Sequence, residues 1–295
     1  MIIMVVNTKG GVGKSAFSMQ LVAPYMLSRF GKASLFEVDD YNFDASDYSG
    51  SIVNCQSVRV GNEIDLTAEK LRVSLSGKNA VIDVGGNETA GSFIEAVGKS
   101  RLYSTFDAII IPVTQTGKDV ENAEKTLLLI REQLRNYQGK IILGVTRIPS
   151  DYDWGDIEYR MPDLADLARK YEVDGVITLP NDQSIPLSRK LEMTAWELSE
   201  FSERQLDQIQ ELMMEEHEKG AEADADRLVK LNRHTVTIES AIRLRPHLDQ
   251  RFLALDQMLG VTPEMMKEGL TPPGATEGDE AEASEVSGKP SQQVQ

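Results

Sequence analysis

The chain predicts an α/β protein: a doubly wound, mostly parallel sheet followed by a helical extension toward the carboxyl-terminal end. Three observations carry this expectation. Short β-rich runs alternate with helical periodicities over residues 1–180, a glycine-rich turn joins the first run to the first helix, and β signals stop past residue 200.

Each element has its own signal. "MIIMVVNT" (1–8) predicts the first strand. After the glycines, Phe17, Leu21, Val22, Tyr25 and Met26 recur at helix spacing, and Gly31 supplies a stop. "ASLFEVD" (33–39) and "NAVIDVGG" (79–86) predict the second and third strands, and the unbroken apolar run of "FDAIIIPVT" (106–114) suits a fourth, buried on both faces. Val120, Ala123, Leu127, Ile130 and Leu134 mark one stripe of a helix ending near Gly139. "KIILGVT" (140–146) and "GVITLP" (175–180) complete six strands, with a helix carrying Leu164, Leu167, Ala168 and Tyr171 between them. Beyond, an acidic helix precedes a basic one, with breaks expected near Gly220 and Pro246. From about Thr271 almost no large apolar residue remains, and disorder is expected. The expected division is therefore 1–200, a helical extension over 201–270 and an acidic tail over 271–295.

Bulk properties narrow the function. The chain of 295 residues, 41% hydrophobic, suffices for one sizeable core with an appendage. A lone cysteine, Cys55, excludes an intramolecular disulfide and any zinc or iron–sulfur centre built from several thiolates of one chain, which fits a reducing cytoplasmic setting. The opening "MIIMVV" has neither a basic leader nor a cleavage site, and no apolar stretch has the length of a bilayer span, so neither export nor membrane insertion is expected. Net charge is −16, unevenly spread: residues 227–251 carry six bases and two acids, and the rest is acidic. His217, His234 and His247 lack metal-like spacing.

The chemistry concentrates in "VVNTKGGVGKSAF" (5–17). Gly10, Gly11 and Gly13 permit backbone conformations that a Cβ would obstruct. Successive N–H groups from Gly11 through Val12, Gly13, Lys14 and Ser15 to Ala16 can then turn inward around a phosphate, at the positive end of the following helix. Lys14 can reach β- and γ-phosphate oxygens, and the Ser15 hydroxyl is placed to ligate Mg²⁺. A dinucleotide-binding loop fits worse, because Lys14, Ser15 and Ala16 follow Gly13 without a third glycine. The spacing also departs from the standard phosphate-binding pattern: Thr8 stands where a first glycine is expected, with a second lysine, Lys9, directly after it.

That departure resembles the deviant Walker A motif of the ParA/MinD family of P-loop ATPases, closest to small ParA-like partition ATPases, over roughly residues 1–200. The resemblance implies ATP and Mg²⁺ as cofactors, ATP hydrolysis, and a homodimer closed around ATP in which Lys9 reaches the partner's phosphates. "FEVDD" resembles the family's catalytic acidic strand end: Asp39 matches the hydrolytic aspartate, Glu37 replaces the first acid, and Asp40 stands where a proline is usual. "AVIDVGGN" resembles a Walker B strand, with Asp83 holding a Mg²⁺-bound water. Thr146 and the turn Pro180, Asn181, Asp182 would flank adenine. The resemblance further implies a cargo adaptor, ParB-like or other, and non-specific DNA binding through Arg227, Lys230, Arg233, Arg243, Arg245 and Arg251. An acidic tail argues against a membrane-surface role. Two alternatives stay open: a nucleotide-switched adaptor for conjugation or pilus machinery, and a metabolic ligase of the dethiobiotin synthetase type.

Overall fold

The computed structural model describes residues 1–39, 47–60, 64–149, 152, 154–201 and 203–270. Asp40 and the tail from Thr271 lie outside the described residues.

In chain order the elements are β1 (Ile2–Val5), α1 (Lys14–Phe17), a π-helical turn (Ser18–Val22), α2 (Ala23–Phe30), β2 (Ser34–Val38), β3 (Asn54–Val58), α3 (Ile64–Leu75), β4 (Ala80–Val84), α4 (Asn87–Ser100), β5 (Ala108–Val113) and α5 (Gly117–Gln133). There follow β6 (Lys140–Ile148), α6 (Trp154–Arg160), α7 (Pro162–Lys170), β7 (Gly175–Pro180), α8 (Ser184–Arg189), α9 (Ala195–Ser199), α10 (Glu203–Glu218), α11 (Ala225–Leu259) and α12 (Pro263–Leu270). Short 3₁₀ turns add to these.

The sheet has seven strands in the order β3-β2-β4-β1-β5-β6-β7, and every pairing is parallel. Six were expected. The seventh, β3, is an edge strand reading Asn-Cys-Gln-Ser-Val with no buried residue, so it lacks the apolar signature of its neighbours. Because β1 lies between β4 and β5, the winding reverses beside it, and the carboxyl ends of these strands frame a crevice where the glycine loop sits. Register places Asp83 level with Val5 on one side and Glu37 on the other.

Two apolar clusters cover the two faces. One packs Met4, Phe36, Ile82, Ile109 and Leu143 against α3, α4, α5 and α7. The other packs Ile3, Val5, Leu35, Val81 and Ile110 against α2, α9 and α11, to which α11 contributes Leu244, Leu248, Phe252 and Leu255. At this seam Arg29 pairs with Asp256 at 2.9 Å, and the Tyr25 hydroxyl donates to the same carboxylate at 3.0 Å.

The expected break at Pro246 does not occur: α11 runs through it for 35 residues. Proline deletes one intrahelical hydrogen bond, but buried Leu244 and Leu248 on either side hold both halves against the same core. Near Gly220 the chain does turn, with Gly220 at φ 58°, and Asp224 caps α11 by accepting from the N–H groups of Asp226 and Arg227. Burial is what overrode the proline.

Candidate functional site

The glycine loop opens from β1 into α1 with Gly11 at φ 77° and Gly13 at φ 87°, the left-handed conformations for which glycine is suited. Its outer side is fastened to neighbouring elements. Thr8 is held by Thr126 of α5, with N–H to Oγ1 at 3.1 Å, and the Asn7 side chain both accepts from the Lys9 N–H and donates to the Pro112 carbonyl. The end of β6 grips the tip: the Thr146 hydroxyl donates to the Val12 carbonyl at 3.0 Å, and the Arg147 guanidinium to the Gly11 carbonyl at 2.9 Å. With these carbonyls engaged outward, the loop's N–H groups are left for a ligand.

Lys14 is buried, and its ammonium donates to the Lys9 carbonyl at 2.9 Å. Burial lowers its proton affinity, while Asp83 and Asp39 work in the opposite direction. Asp83 is the counterpart. Burial raises its carboxyl to about 7 against the help of the Ser15 hydroxyl and Lys14, with Glu37 adding to the rise. The Ser18 hydroxyl also lies close and favours the charge, while Oδ1 is buried with no well-aligned hydrogen bond among the described residues.

The loop after β4 closes the other wall. A Cβ on Gly85 would stand 2.5 Å from Asp39 Oδ2, and one on Gly86 would stand 2.9 Å from Gly10 Cα and 3.1 Å from Lys14 Nζ. Only glycines let this strand end, Asp39 and the phosphate loop meet. The resulting cavity of about 860 Å³ is lined by Gly10, Gly11, Gly13, Lys14, Ser15, Ala16, Glu37, Asp39 and Asp83, and also by Tyr48, Arg147, Ile185, Pro186 and Arg189.

Most of the sequence-predicted residues therefore meet in one place, but several stand elsewhere. Lys9 does not line the cavity; its ammonium pairs with Asp119 Oδ1 at 2.5 Å. Burial works against ionisation of Asp119, but hydrogen bonds from Lys9, Thr114 and Thr116 prevail and keep the carboxyl below its ordinary range. Thr146, Pro180 and Asp182 do not line the cavity either. Thr146 is spent on Val12, Pro180 ends the β7 ladder, and Asp182 Oδ1 accepts from the Ser184 N–H and from the hydroxyls of Ser184 and Ser240. Their neighbours Arg147, Ile185 and Pro186 take the lining positions.

The six late bases do not form one surface. Arg251 is buried and donates to Thr178 and to the Tyr152 carbonyl; Arg245 is held by Glu200, Asp249 and the Trp196 ring; Arg227 pairs with buried Glu216. Lys230, Arg233 and Arg243 are exposed and have no carboxylate partner among the described residues. Arg251 thus drops out as a phosphate contact, because its guanidinium is enclosed. Among the described residues, no helix is long and apolar enough to cross a membrane.

Sequence reasoning missed Arg147, Tyr48, Arg189 and Asp119. An isolated arginine after a strand and an aspartate opening a helix carry no spacing signal of their own.

No protein family model and no curated protein matches the chain. Solved structures do resemble it. McdA of Cyanothece, an aspartate-to-alanine variant in complex with ATP, is 14% identical over 88% of this chain and 96% of its own, with a TM-score of 0.49. The cell division protein MinD of Aquifex aeolicus is 15% identical over 68% and 90%, at 0.48, and a plasmid partition protein of Borrelia burgdorferi is 16% identical over 65% and 96%, at 0.41.

Proposed function

We propose that this chain is a Mg²⁺-dependent ATPase that closes with a second copy around ATP and opens on hydrolysis, and that this cycle segregates or positions a cargo, plasmid DNA or another load. The observation that carries the reading is Asp83, buried beside Ser15, Ser18 and Lys14 at the foot of a phosphate-type loop, with its Oδ1 lacking a well-aligned hydrogen bond among the described residues. Such an atom is costly unless something polar reaches it, and a hydroxyl with a carboxylate is a donor set for a hard cation. Ser15 would hold the ion directly and Asp83 through a water; when bound, the ion supplies charge neutralisation at the phosphates.

The chain's own groups divide the remaining work. N–H groups from Gly11 to Ala16 cradle the phosphates, and Lys14 offsets charge on the oxygens being pulled apart. Asp39, fitted against Gly85, orients the attacking water by accepting its hydrogen bond. Lys9 leaves Asp119 to meet the partner copy's phosphates. Closing two triphosphate sites against each other concentrates negative charge, and an added cation from each copy offsets it.

A partner that stimulates turnover, ParB-like or another adaptor, would engage the extension. The α10–α11 pair exposes Leu212, Met214 and Val229, and Lys230, Arg233 and Arg243 remain available for DNA phosphates. Sedimentation with Mg²⁺ and a non-hydrolysable ATP analogue tests the core of the proposal. Mass should double; a chain that stays single at saturating nucleotide overturns it.

A further inference from the structure

One wall of the cavity is assembled from two stretches far apart in sequence: Tyr48, which lies between β2 and β3, and Ile185, Pro186 and Arg189 of α8. Hydrogen bonds stitch the two together. Arg189 Nε donates to Asp47 Oδ2 at 2.6 Å, the Ser49 hydroxyl donates to the Glu192 carboxylate, and the Gly50 N–H donates to the Glu192 carbonyl at 3.1 Å. Buried Glu197 continues the seam, accepting from the Ser51 hydroxyl at 2.8 Å and the Ile52 N–H at 2.7 Å while it completes the capping box of α9 with Thr194.

Gln20 ties this wall to the helix that opens at the phosphate loop. It stands in the π-helical turn that continues the helix carrying Lys14 and Ser15, and its side chain is buried. Its Nε2 donates to the Tyr48 hydroxyl and to the Ser188 hydroxyl, each at 3.1 Å, and its Oε1 accepts from the Ala195 N–H at 2.8 Å. A buried amide is costly unless its donors and its acceptor are met, and here α8, α9 and the chain after β2 meet them. Gln20 itself does not line the cavity, and of these partners only Tyr48 does. The route from Gln20 to a ligand therefore runs through one hydroxyl.

We propose that Gln20 is a positioning residue of the nucleotide cavity: through the Tyr48 hydroxyl it sets the wall against the helix that bears the phosphate-binding groups. This rests on the nucleotide reading above and adds to it a residue that never touches the ligand. The test is a double-mutant cycle on the affinity for Mg·ADP, the product that the proposed cycle leaves on a single chain. Calorimetric titrations compare wild type, Tyr48→Phe, Gln20→Met and the double variant, with melting temperatures measured beside them.

Each single variant should bind about fivefold more weakly, the share of one neutral hydrogen bond, and the double variant should lose no more than either one. Melting temperature should fall further in Gln20→Met than in Tyr48→Phe, because the former also abandons Ser188 and Ala195. Wild-type affinity in a Gln20→Met protein that melts early would make Gln20 a packing residue only. Losses that multiply to about 25-fold in the double variant would show a route that bypasses Tyr48. Either result overturns the proposal. If Gln20→Met does not fold, Tyr48→Phe decides alone: a fivefold loss supports the tether, and unchanged affinity overturns it. If wild type fails to bind Mg·ADP, the nucleotide reading falls and takes this proposal with it, an outcome set apart because it involves no variant.

Discussion

Lys14 and Lys9 stand five positions apart in one loop, yet the fold treats them as opposites. Lys14 lies on the cavity floor, buried, with Asp83 and Asp39 near its ammonium. Lys9 lies at the mouth with a side chain about one-third exposed (34%), and its ammonium turns away from the cavity to Asp119 on the adjoining helix. On the proposed reading, the buried cation facing cavity acids serves a ligand within its own chain. On the same reading Lys9, one-third exposed and held by one ion pair, is the cation to be released, and the comparison teaches that loop membership alone does not assign a role.

The floor should show the largest effects. Asp83 is raised from 3.8 to about 7, so its ionised form is disfavoured in the folded chain, and that stability is fully present below about pH 4 and lost as pH rises through about 7. Without ligand, Asp83→Asn should therefore be more stable than wild type at pH 8, by up to about 4 kcal/mol, with the gap in melting temperature opening between pH 4 and 7. On the proposed cation site Mg·ATP should reverse the order, because a carboxylate serves a hard cation better than an amide does. A gap independent of pH would show that Asp83 is not the group being buried neutral.

Next comes Lys14→Ala, which removes the proposed charge-assisted contact to phosphate and should weaken ATP binding about 100-fold by calorimetry. At the mouth, Lys9→Ala should keep ATP affinity within about threefold while abolishing the nucleotide-dependent rise in mass. Matching losses in both variants would erase the contrast between the two lysines. The smallest effect belongs to Asp119→Asn. It loosens the hold on Lys9 at a cost of about 1 kcal/mol in monomer stability, and it should shift ATP-dependent dimerisation to several-fold lower protein concentration. Weaker dimerisation would instead give Asp119 a positioning role that the closed state needs.

Legibility in the sequence followed from how local each cause is. The glycine loop, the strands rich in β-branched residues and the stop at Gly31 are short-range effects, and all three were readable from residue type and spacing. β3 was not, because an edge strand with no buried residue needs no apolar run. Continuity through Pro246 was not, because it depends on a core assembled from β1, α2 and α9, distant in sequence. Arg251 belonged by charge to a basic stretch and by burial to the interior, and composition reports only the first. The partners of Lys9 and Arg147 were equally hidden, being contacts across more than a hundred residues.

The π-helical turn at Ser18–Val22 separates two phases of one continuous helix. Upstream, Lys14 and Ser15 face the cavity; downstream, Tyr25, Met26 and Phe30 face the core, and within the turn buried Gln20 reaches Tyr48, Ser188 and the Ala195 N–H. In an ordinary helix each residue turns the chain by about 100°, so deleting one residue here would rotate everything downstream out of alignment with everything upstream. The extra residue of the turn thus sets the angular offset between the cavity-facing and core-facing stretches of one continuous rod.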